Sequence, residues 1–393
     1  MRNVLSDTVL LPCGQSLKNR LVKSAMSDSL ADGEGDATDR QARLYERWAQ
    51  GGVALSVVGE VQVDCRFPEK PGNLVLSDQS DLVALRALTR RATINNTHIW
   101  AQLGHAGALS DPAISQPAGP SALDLEGLQC RAMSSSEIKA LPSVFAKAAL
   151  LAKEAGFTGV QIHAAHGFLL SQFLSPLFNH REDDYGGLIS SRCRIVIEIV
   201  ESVRGVVGSD FPIGIKINSS DQLEGGLEES EALELIALLN DTSVDLIDIS
   251  GGTYFPGAKA SSDASGSGPY FLAFAKKARQ LTRIPLMLTG GFKTHHQVLD
   301  VIDSDIVDCV GLARAMIVNP SLPNAWLKGK GDPIFPRFTT TPPGGVTAWY
   351  TMSMTAISED QDQVFLLDLP SAIDLYDARD AQRRDGWLKK FSV

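Results

Sequence analysis

The sequence contains few cysteines, and none of them is spaced to build a metal cluster. Its five cysteines are an odd number, and none forms a C-x-x-C pair. They are Cys13, Cys65, Cys130, Cys193 and Cys309. This spacing excludes the common zinc and iron–sulfur motifs. We expect reduced thiols in a reducing compartment.

The chain also lacks a long apolar run and an excess of positive charge. No apolar stretch approaches the roughly 20 residues of a membrane-spanning helix, and the first residues do not form a basic segment followed by a long apolar one. Acidic residues outnumber basic ones by 46 to 36, and this net charge of −10 argues against binding nucleic acid or an anionic membrane. We therefore expect a cytoplasmic protein with a small-molecule partner, and the sequence leaves homo-oligomer formation open.

What the sequence does contain is an alternation of strand and helix patterns. Short, nearly continuous apolar runs, typical of strands buried on both faces, alternate with segments of helical periodicity. The predicted strands span residues 20–26, 53–60, 98–103, 159–164, 213–219, 246–250, 285–289 and 308–312. The clearest predicted helices span residues 39–50, 80–94, 136–155, 191–207, 229–240, 269–281 and 294–302. This pattern, with no G-x-G-x-x-G motif after the first strand, predicts an α/β fold of the (β/α)8 TIM-barrel type rather than an open Rossmann sheet.

Segments on either side of the predicted barrel have structural roles. Residues 9–19 predict a hairpin that caps the N-terminal end of the barrel. Near the other end, the chain becomes rich in Gly, Pro and Thr before a last amphipathic stretch at 346–357, where Trp349 and Tyr350 could reach a neighbouring site. We assign residues 1–330 to the barrel and residues 331–393 to a C-terminal extension. This extension is expected to pack on the barrel or on a neighbouring subunit, with its final charged segment partly mobile.

Two histidines lie at the end of the fourth predicted strand, where a β/α barrel carries its catalytic groups. His163 is at the strand end and His166 follows it at the turn. Two imidazoles on one rim can both donate to a single carbonyl or anionic oxygen, which favours a catalytic role over a structural one. Zinc binding is the alternative, but it requires a third protein ligand, and the neighbouring sequence supplies none clearly.

Small and basic residues follow the last two predicted strands. Gly290 and Gly291 follow the seventh strand, and Ala313 and Arg314 follow the eighth. In β/α barrels these two loops commonly bind a phosphate through backbone N–H groups and a helix N-terminus. A diglycine by itself also suits any tight turn. The added arginine favours the phosphate site.

Lys216 lies inside an apolar predicted strand, where an unpaired ammonium group would be costly. The structural interpretation is a salt bridge with a barrel carboxylate such as Glu60. The functional interpretation is a positive charge beside a cofactor ring that becomes anionic on reduction. Gln102, at the end of the third strand, could donate to and accept from the same ring.

These motifs, in this order, resemble those of the Old Yellow Enzyme family, FMN-dependent ene-reductases built on a β/α barrel. The resemblance extends over residues 12–320. The matching segments are NRLV at 19–22, YERWAQGG at 45–52, QLGHAG at 102–107, HAAHGFLLSQFLSP at 163–176 and NHREDDYGG at 179–187. Chance does not produce such a series in family order.

The resemblance implies FMN as the cofactor and NADPH or NADH as the reductant. It implies flavin-ring contacts at Ser24, Ala25, Met26, Ser27, Val61 and Gln102, with Lys216 near N1 of the ring. It implies a phosphate site at Gly290, Gly291, Ala313 and Arg314. His163 and His166 would bind the carbonyl oxygen of the substrate, and no metal is implied.

The substrate pocket departs from the family pattern. The proton-donating tyrosine that the family places two residues after the second histidine is Phe168 here, and a phenyl ring cannot donate a proton. Tyr254 is a candidate replacement, although a packing role is the stronger interpretation. Ser27 stands where the family has threonine or cysteine, so a different flavin potential is expected.

The function implied by the resemblance is that of an FMN-dependent NAD(P)H oxidoreductase. Such an enzyme reduces the activated C=C bond of α,β-unsaturated carbonyls by hydride transfer from flavin N5. Phe168 keeps two alternatives open. One is a redox-neutral alkene isomerase that uses bound flavin, and the other is a quinone or NADH oxidase with weak ene-reduction.

Overall fold

The computed structural model describes residues 4–256, 258, 268–362 and 366–391. The strands are β1 Val9–Leu10, β2 Ser16–Leu17, β3 Leu21–Lys23, β4 Leu55–Gln62, β5 Leu74–Val75, β6 His98–Gly104, β7 Ala118–Gly119, β8 Leu123–Leu125, β9 Leu128–Ala132, β10 Gly159–Ala164, β11 Ile213–Asn218, β12 Leu246–Ser250, β13 Leu286–Thr289 and β14 Cys309–Leu312. The helices are α1 Asp39–Gln50, α2 Leu82–Ala92, α3 Ser135–Glu154, α4 Leu169–Leu174, α5 Ile189–Arg192, α6 Arg194–Val207, α7 Glu229–Leu239, α8 Leu272–Leu281, α9 His295–Asp303, α10 Arg314–Val318, α11 Leu322–Trp326, α12 Gly345–Ser358 and α13 Leu369–Phe391.

Eight parallel strands close a barrel. Their spatial order is β3, β4, β6, β10, β11, β12, β13 and β14, and β14 pairs back onto β3. The register places His163 beside Lys216, and Lys216 beside Asp248. Each predicted strand corresponds to one of these eight, so the predicted (β/α)8 barrel is confirmed. The first strand is shorter than predicted, because the chain leaves the sheet after Lys23.

Helices on the outer face explain why the strand runs are apolar rather than alternating. All residues of β4, β10 and β11 are buried. The covering helices begin where a side chain satisfies their free N–H groups. Thr38 accepts from the Gln41 N–H at the start of α1, and Ser134 and Glu137 form a reciprocal capping box at the start of α3.

Helix boundaries differ from the prediction at three places. The predicted helix 191–207 is divided into α5 and α6 at Cys193. Helix α2 begins at Leu82 because the Asp81 carboxylate accepts from the first free N–H groups. Helix α8 begins at Leu272 instead of 269, since Tyr270 donates its N–H to the Gly290 carbonyl at 3.3 Å and so belongs to the loop.

The predicted N-terminal hairpin is present. Strands β1 and β2 are antiparallel, with Val9 opposite Leu17, and both side chains are buried against the lower end of the barrel. A three-stranded sheet of β7, β8 and β9, which the sequence did not predict, lies between β6 and α3 along the chain. Its strands are five residues or fewer, too short for a clear periodic signal.

The C-terminal segment is more regular than expected. The predicted stretch 346–357 is α12, which packs on α1 and α13. The final segment, expected to be partly mobile, is the 23-residue helix α13. Its Trp387 is fully buried, and its Arg383 guanidinium donates to the Ser29 carbonyl at 2.7 Å. Within the ranges that the structure describes, no helix is both long and apolar enough to cross a membrane.

Candidate active site

A cavity of about 450 Å³ opens at the C-terminal ends of the barrel strands. Loops after β10, β12, β13 and β14 form its walls, because parallel strands bring their C-terminal ends to one face. His166, Ser250 and Tyr254 lie at one part of the wall, and Gly291 and Arg314 lie at another. The cavity therefore joins the histidine region to the predicted phosphate region.

The two histidines face each other. His163 Nε2 is 3.3 Å from His166 Nδ1, and the His166 Nε2 is 2.9 Å from the Ser250 hydroxyl. His166 has a left-handed backbone with a φ of 62°, and its N–H donates to Asn218 Oδ1 at 3.1 Å. These backbone constraints turn the ring back toward the strand end. The predicted pairing of the two imidazoles is thus present in the folded chain.

Burial keeps both imidazoles neutral. Loss of hydration, together with the nearby positive charge of Lys216, lowers the pKa of His163 to about 3. The same two effects hold the pKa of His166 well below its usual value. Each ring therefore carries one proton at neutral pH and has one N–H donor and one lone pair.

Glu60, at the end of β4, lies against the histidine pair. Its Oε1 is 2.9 Å from His163 Nδ1 without the angular geometry of a hydrogen bond, and its Oε2 is buried with no hydrogen-bond partner in the described part of the chain. Gly104 leaves room for this carboxyl, since a Cβ there would lie 2.6 Å from Oε2. Burial raises the pKa of Glu60 to about 8, against the opposing effect of Lys216.

A buried chain of polar side chains crosses the barrel beneath the cavity. Gln102 donates to Gln161 at 2.8 Å, and Gln161 donates to Asp248 at 3.2 Å. Thr289 donates to the other Asp248 oxygen at 2.6 Å and contacts the Ser24 hydroxyl at 2.9 Å. Because every member is buried and hydrogen-bonded, the chain holds these side chains in one arrangement.

Lys216 forms a salt bridge with a barrel carboxylate, but the partner is Asp248 rather than Glu60, the example that the sequence offered. Lys216 Nζ is 3.3 Å from Asp248 Oδ2, and both side chains are almost completely buried. The register explains this choice, because Lys216 and Asp248 are direct neighbours on β11 and β12. Glu60 instead approaches His163, and among the described residues no lysine or arginine forms an ion pair with its carboxyl.

The predicted phosphate residues come together at one end of the cavity. Gly290, Gly291, Ala313 and Arg314 all line it. Gly291 has a φ of +85°, and a Cβ there would meet the Gly268 carbonyl and lie 2.8 Å from the Tyr270 ring, so only glycine fits. Arg314 begins α10, and its guanidinium lies 5.2 Å from the centre of the Tyr350 ring. Tyr350 therefore lines the cavity of its own chain.

The other predicted ring-contact residues are near the cavity but are not among its lining residues. They are Ser24, Ala25, Met26, Ser27, Val61, Gln102 and Lys216. Ala25, Met26 and Ser27 are half-buried after β3, and the Ser27 hydroxyl accepts from Asn73 at 3.2 Å. Val61 is fully buried within β4. Gly59 allows a close approach here, because its Cβ would lie 2.8 Å from Gln102 Oε1 and 2.9 Å from Ala25 Cβ.

The two aromatic residues of the predicted substrate pocket adjoin the histidines. The Phe168 ring is buried, 5.0 Å from the His163 ring centre. The Tyr254 side chain is 64% exposed, and its ring centre is 5.8 Å from that of Phe168 and 6.3 Å from that of His166. Tyr254 therefore places a phenol ring beside both Phe168 and His166.

Sequence reasoning missed several residues of this site. Asp248, Gln161 and Thr289 form the centre of the buried polar chain, and Lys293 lines the cavity. Asp248 had a detectable signal, because an aspartate inside the apolar run of β12 requires a buried partner. Within the described ranges, no group of three or more His, Cys, Asp or Glu side chains is arranged to hold a metal ion.

Comparison with known proteins adds an independent line of evidence. The sequence model of the NADH:flavin oxidoreductase / NADH oxidase family matches residues 13–332. The NADH-dependent flavin oxidoreductase of Neonectria sp. (strain DH2) is 37% identical over 351 residues, which cover 80% of this chain and 46% of that protein. The NADH-dependent flavin oxidoreductase of Hypocrea jecorina (strain QM6a) is 34% identical over 351 residues, which cover 80% of this chain and 86% of that protein.

A solved structure confirms the likeness in fold. The old yellow enzyme homologue from Zymomonas mobilis superposes with a TM-score of 0.73 at 23% identity, covering 89% of this chain and 99% of that one. This chain spans less than half the length of the Neonectria relative and most of the Hypocrea relative. The resemblance found in the sequence motifs is confirmed, and the chain belongs to the NADH:flavin oxidoreductase / NADH oxidase family, whose cofactor is FMN.

Proposed function

We propose that this protein is an FMN-dependent NAD(P)H oxidoreductase that reduces the activated C=C bond of α,β-unsaturated carbonyl compounds. The observation that carries the proposal is the pair of neutral imidazoles, His163 and His166, of which His166 lines the cavity that reaches Gly291 and Arg314. NADH is the proposed reductant, because the relatives from Neonectria and Hypocrea are named NADH-dependent.

The residues present fit FMN. Gly290, Gly291, Ala313 and Arg314 line one end of the cavity and would hold the phosphate there, and Gly291 is required for this loop because a Cβ would strike the Gly268 carbonyl. The proposed contacts to the ring are Ser24, Ala25, Met26, Ser27, Val61, Gln102 and Lys216. When bound, FMN accepts hydride from the nicotinamide and supplies hydride to the β-carbon of the substrate. Lys216 would place positive charge beside the ring, because Asp248 holds its ammonium group under the cavity.

His163 and His166 would bind the carbonyl oxygen of the substrate. Their facing nitrogens, His163 Nε2 and His166 Nδ1, are the two ring atoms that a shared oxygen would contact. Donation from both would stabilise negative charge as it develops on that oxygen. Because the pKa values of the two rings are lowered, each ring is neutral and donates through its one remaining N–H, without a full positive charge.

Two proposed alternatives follow from Phe168. The buried phenyl ring beside His163 supplies no proton to the α-carbon. This favours, as a second candidate, a redox-neutral alkene isomerase, and it also suits a quinone or NADH oxidase with weak ene-reduction. For the reductase, Tyr254 or water would supply the α-proton, and Tyr254→Phe tests the first source.

The experiment is an anaerobic assay of purified protein reconstituted with FMN. We expect one NADH consumed per enone reduced, and a fall of about 100-fold in kcat/KM for His163→Ala or His166→Ala. His296→Ala is the matched control, because this histidine is 84% exposed on the surface. Protein that takes up no FMN, or that consumes no NADH with any enone, contradicts the proposal. Product formed without NADH consumption favours the isomerase.

A further inference from the structure

Glu60 is a buried acid that the proposed reaction does not use. It is 7% exposed, its Oε2 has no hydrogen-bond partner among the residues that the structure describes, and its Oε1 is 2.9 Å from His163 Nδ1. This contact is within hydrogen-bond distance but lacks the angular geometry of a hydrogen bond, and it adjoins a series of close polar contacts from His163 through His166 to the Ser250 hydroxyl. Each imidazole in this row has a single proton, so the group at one end decides which nitrogen carries it.

An ionised Glu60 would prevent the two histidines from both donating a hydrogen bond to a carbonyl oxygen. The carboxylate can only accept, so His163 would carry its proton on Nδ1 and face His166 with the Nε2 lone pair. His166 would then donate from Nδ1 to His163 Nε2, across the observed 3.3 Å. A carbonyl oxygen entering between the rings would meet one lone pair and would have to displace the only donor.

A protonated Glu60 would allow both histidines to donate a hydrogen bond to a carbonyl oxygen. The acid would donate to His163 Nδ1, so His163 would carry its proton on Nε2. Without a ligand, His163 Nε2 would donate to His166 Nδ1 across the observed 3.3 Å. When a carbonyl oxygen enters the gap, the Ser250 hydroxyl can donate to His166 Nε2, which leaves the His166 proton on Nδ1. Both nitrogens that face the gap would then be N–H donors.

We propose that Glu60 is a positioning residue that, in its protonated form, sets the histidine tautomers so that both rings donate to the substrate carbonyl oxygen. This inference rests on the proposed carbonyl-binding role of the pair. The site favours the protonated form, because none of the described lysines and arginines forms an ion pair with the carboxyl, and burial raises the pKa of Glu60 to about 8. The arrangement predicts loss of substrate affinity as the pH rises through that value.

The other charged and titratable groups that face Glu60 come from three further elements. Lys216 on β11 acts on it electrostatically and is held by Asp248. Glu69, in the loop after β4, and Tyr254, in the loop after β12, also interact with it. Burial raises the pKa of Glu69 to about 7, so a matched variant at that position separates the two acids.

The test is nitrogen NMR of the histidine rings in the FMN-loaded protein labelled with ¹⁵N-histidine, without substrate. Spectra are recorded at pH values about two units below and above the pKa of Glu60, and the His163→Asn variant identifies the signals of the His163 ring. We expect the His163 proton to move from Nε2 to Nδ1 as the pH rises. The movement should vanish in Glu60→Gln and persist in Glu69→Gln. A His163 tautomer that does not change with pH in the wild type overturns the proposal, whether or not Glu60→Gln folds.

Enone kinetics give the second readout. Over the same pH range, KM for the enone should rise roughly tenfold or more with a smaller change in kcat, and this rise should be absent in Glu60→Gln. If the His163 proton changes nitrogen with pH but no enone is reduced at any pH, the proposed function is wrong, while the control of the His163 tautomer by Glu60 is supported. If enones are reduced and the KM rise persists in Glu60→Gln, the assigned role of Glu60 fails and the proposed function stands.

Discussion

The buried ion pair of Lys216 and Asp248 leads to a quantitative prediction. At a separation of 3.3 Å, attraction between unit charges amounts to about 5 kcal/mol at an effective dielectric constant of about 20. Burying each charge costs several kcal/mol, so the intact pair contributes little net free energy. Removing one partner leaves the other charge buried. We therefore expect Asp248→Asn to lower the free energy of unfolding by about 3–5 kcal/mol.

Replacing Lys216 instead of Asp248 should lower the free energy of unfolding by less. In Lys216→Met, the Asp248 carboxylate still accepts from Thr289 at 2.6 Å and from Gln161 at 3.2 Å. In Asp248→Asn, the described contacts supply no other carboxylate to Lys216. The double variant removes both charges, so its loss should be smaller than the sum of the single losses by at least about 2 kcal/mol.

The assay is urea-induced unfolding followed by tryptophan fluorescence, with FMN removed so that cofactor binding does not add to the measured stability. The control cycle is Lys277→Met with Glu229→Gln, because these partners are 58% and 44% exposed. Its coupling should be at most about 1 kcal/mol. If the double variant at Lys216 and Asp248 loses as much unfolding free energy as the two single variants together, within about 0.5 kcal/mol, the two charges are not coupled and the reasoning is refuted.

Three further predictions concern the pocket and the C-terminal helix. Phe168→Tyr should raise enone turnover by about 100-fold if protonation of the α-carbon limits the rate. Deuterium from D₂O should then enter one face of the product. An unchanged rate with unselective labelling would show that the new hydroxyl does not protonate the substrate. Gly291→Ala should weaken FMN binding at least tenfold in a fluorescence titration, whereas Gly187→Ala, with a similar φ of +78° and nothing near its Cβ, should not. Trp387→Ala should lower the free energy of unfolding by about 3–5 kcal/mol and expose α13 to limited proteolysis, because it removes a buried side chain. A variant as resistant to protease as the wild type would contradict the role of Trp387 in anchoring the helix.

The sequence could predict much of the site because parallel strands place their ends together. Once 159–164, 285–289 and 308–312 were identified as barrel strands, the residues that follow them had to meet at one face. The structure does bring His166, Gly291 and Arg314 to one cavity. The roles of the predicted ring contacts stay predictions, since residues such as Gln102 and Lys216 are near the cavity rather than on its wall.

The C-terminal helix shows where local signals were insufficient. Residues after 366 are strongly charged, and charge alone suggested a loose segment. The stabilising contacts are distant in sequence: Trp387 packs with Val75 and Ile114, and Lys390 bonds to Asp36 at 2.5 Å. Such contacts depend on the closed barrel, which presents these loops next to one another.

The sequence by itself determined the eight strands, their order around the barrel and the family, because apolar periodicity and contiguous motifs are local properties of the chain. Only the tertiary structure decided which buried charges meet. The sequence suggested a barrel carboxylate such as Glu60 as one possible partner of Lys216, but Lys216 lies against Asp248, and Glu60 lies against His163. These pairings depend on strand register and on side-chain positions across the barrel interior, where burying a charge makes its nearest partner decisive.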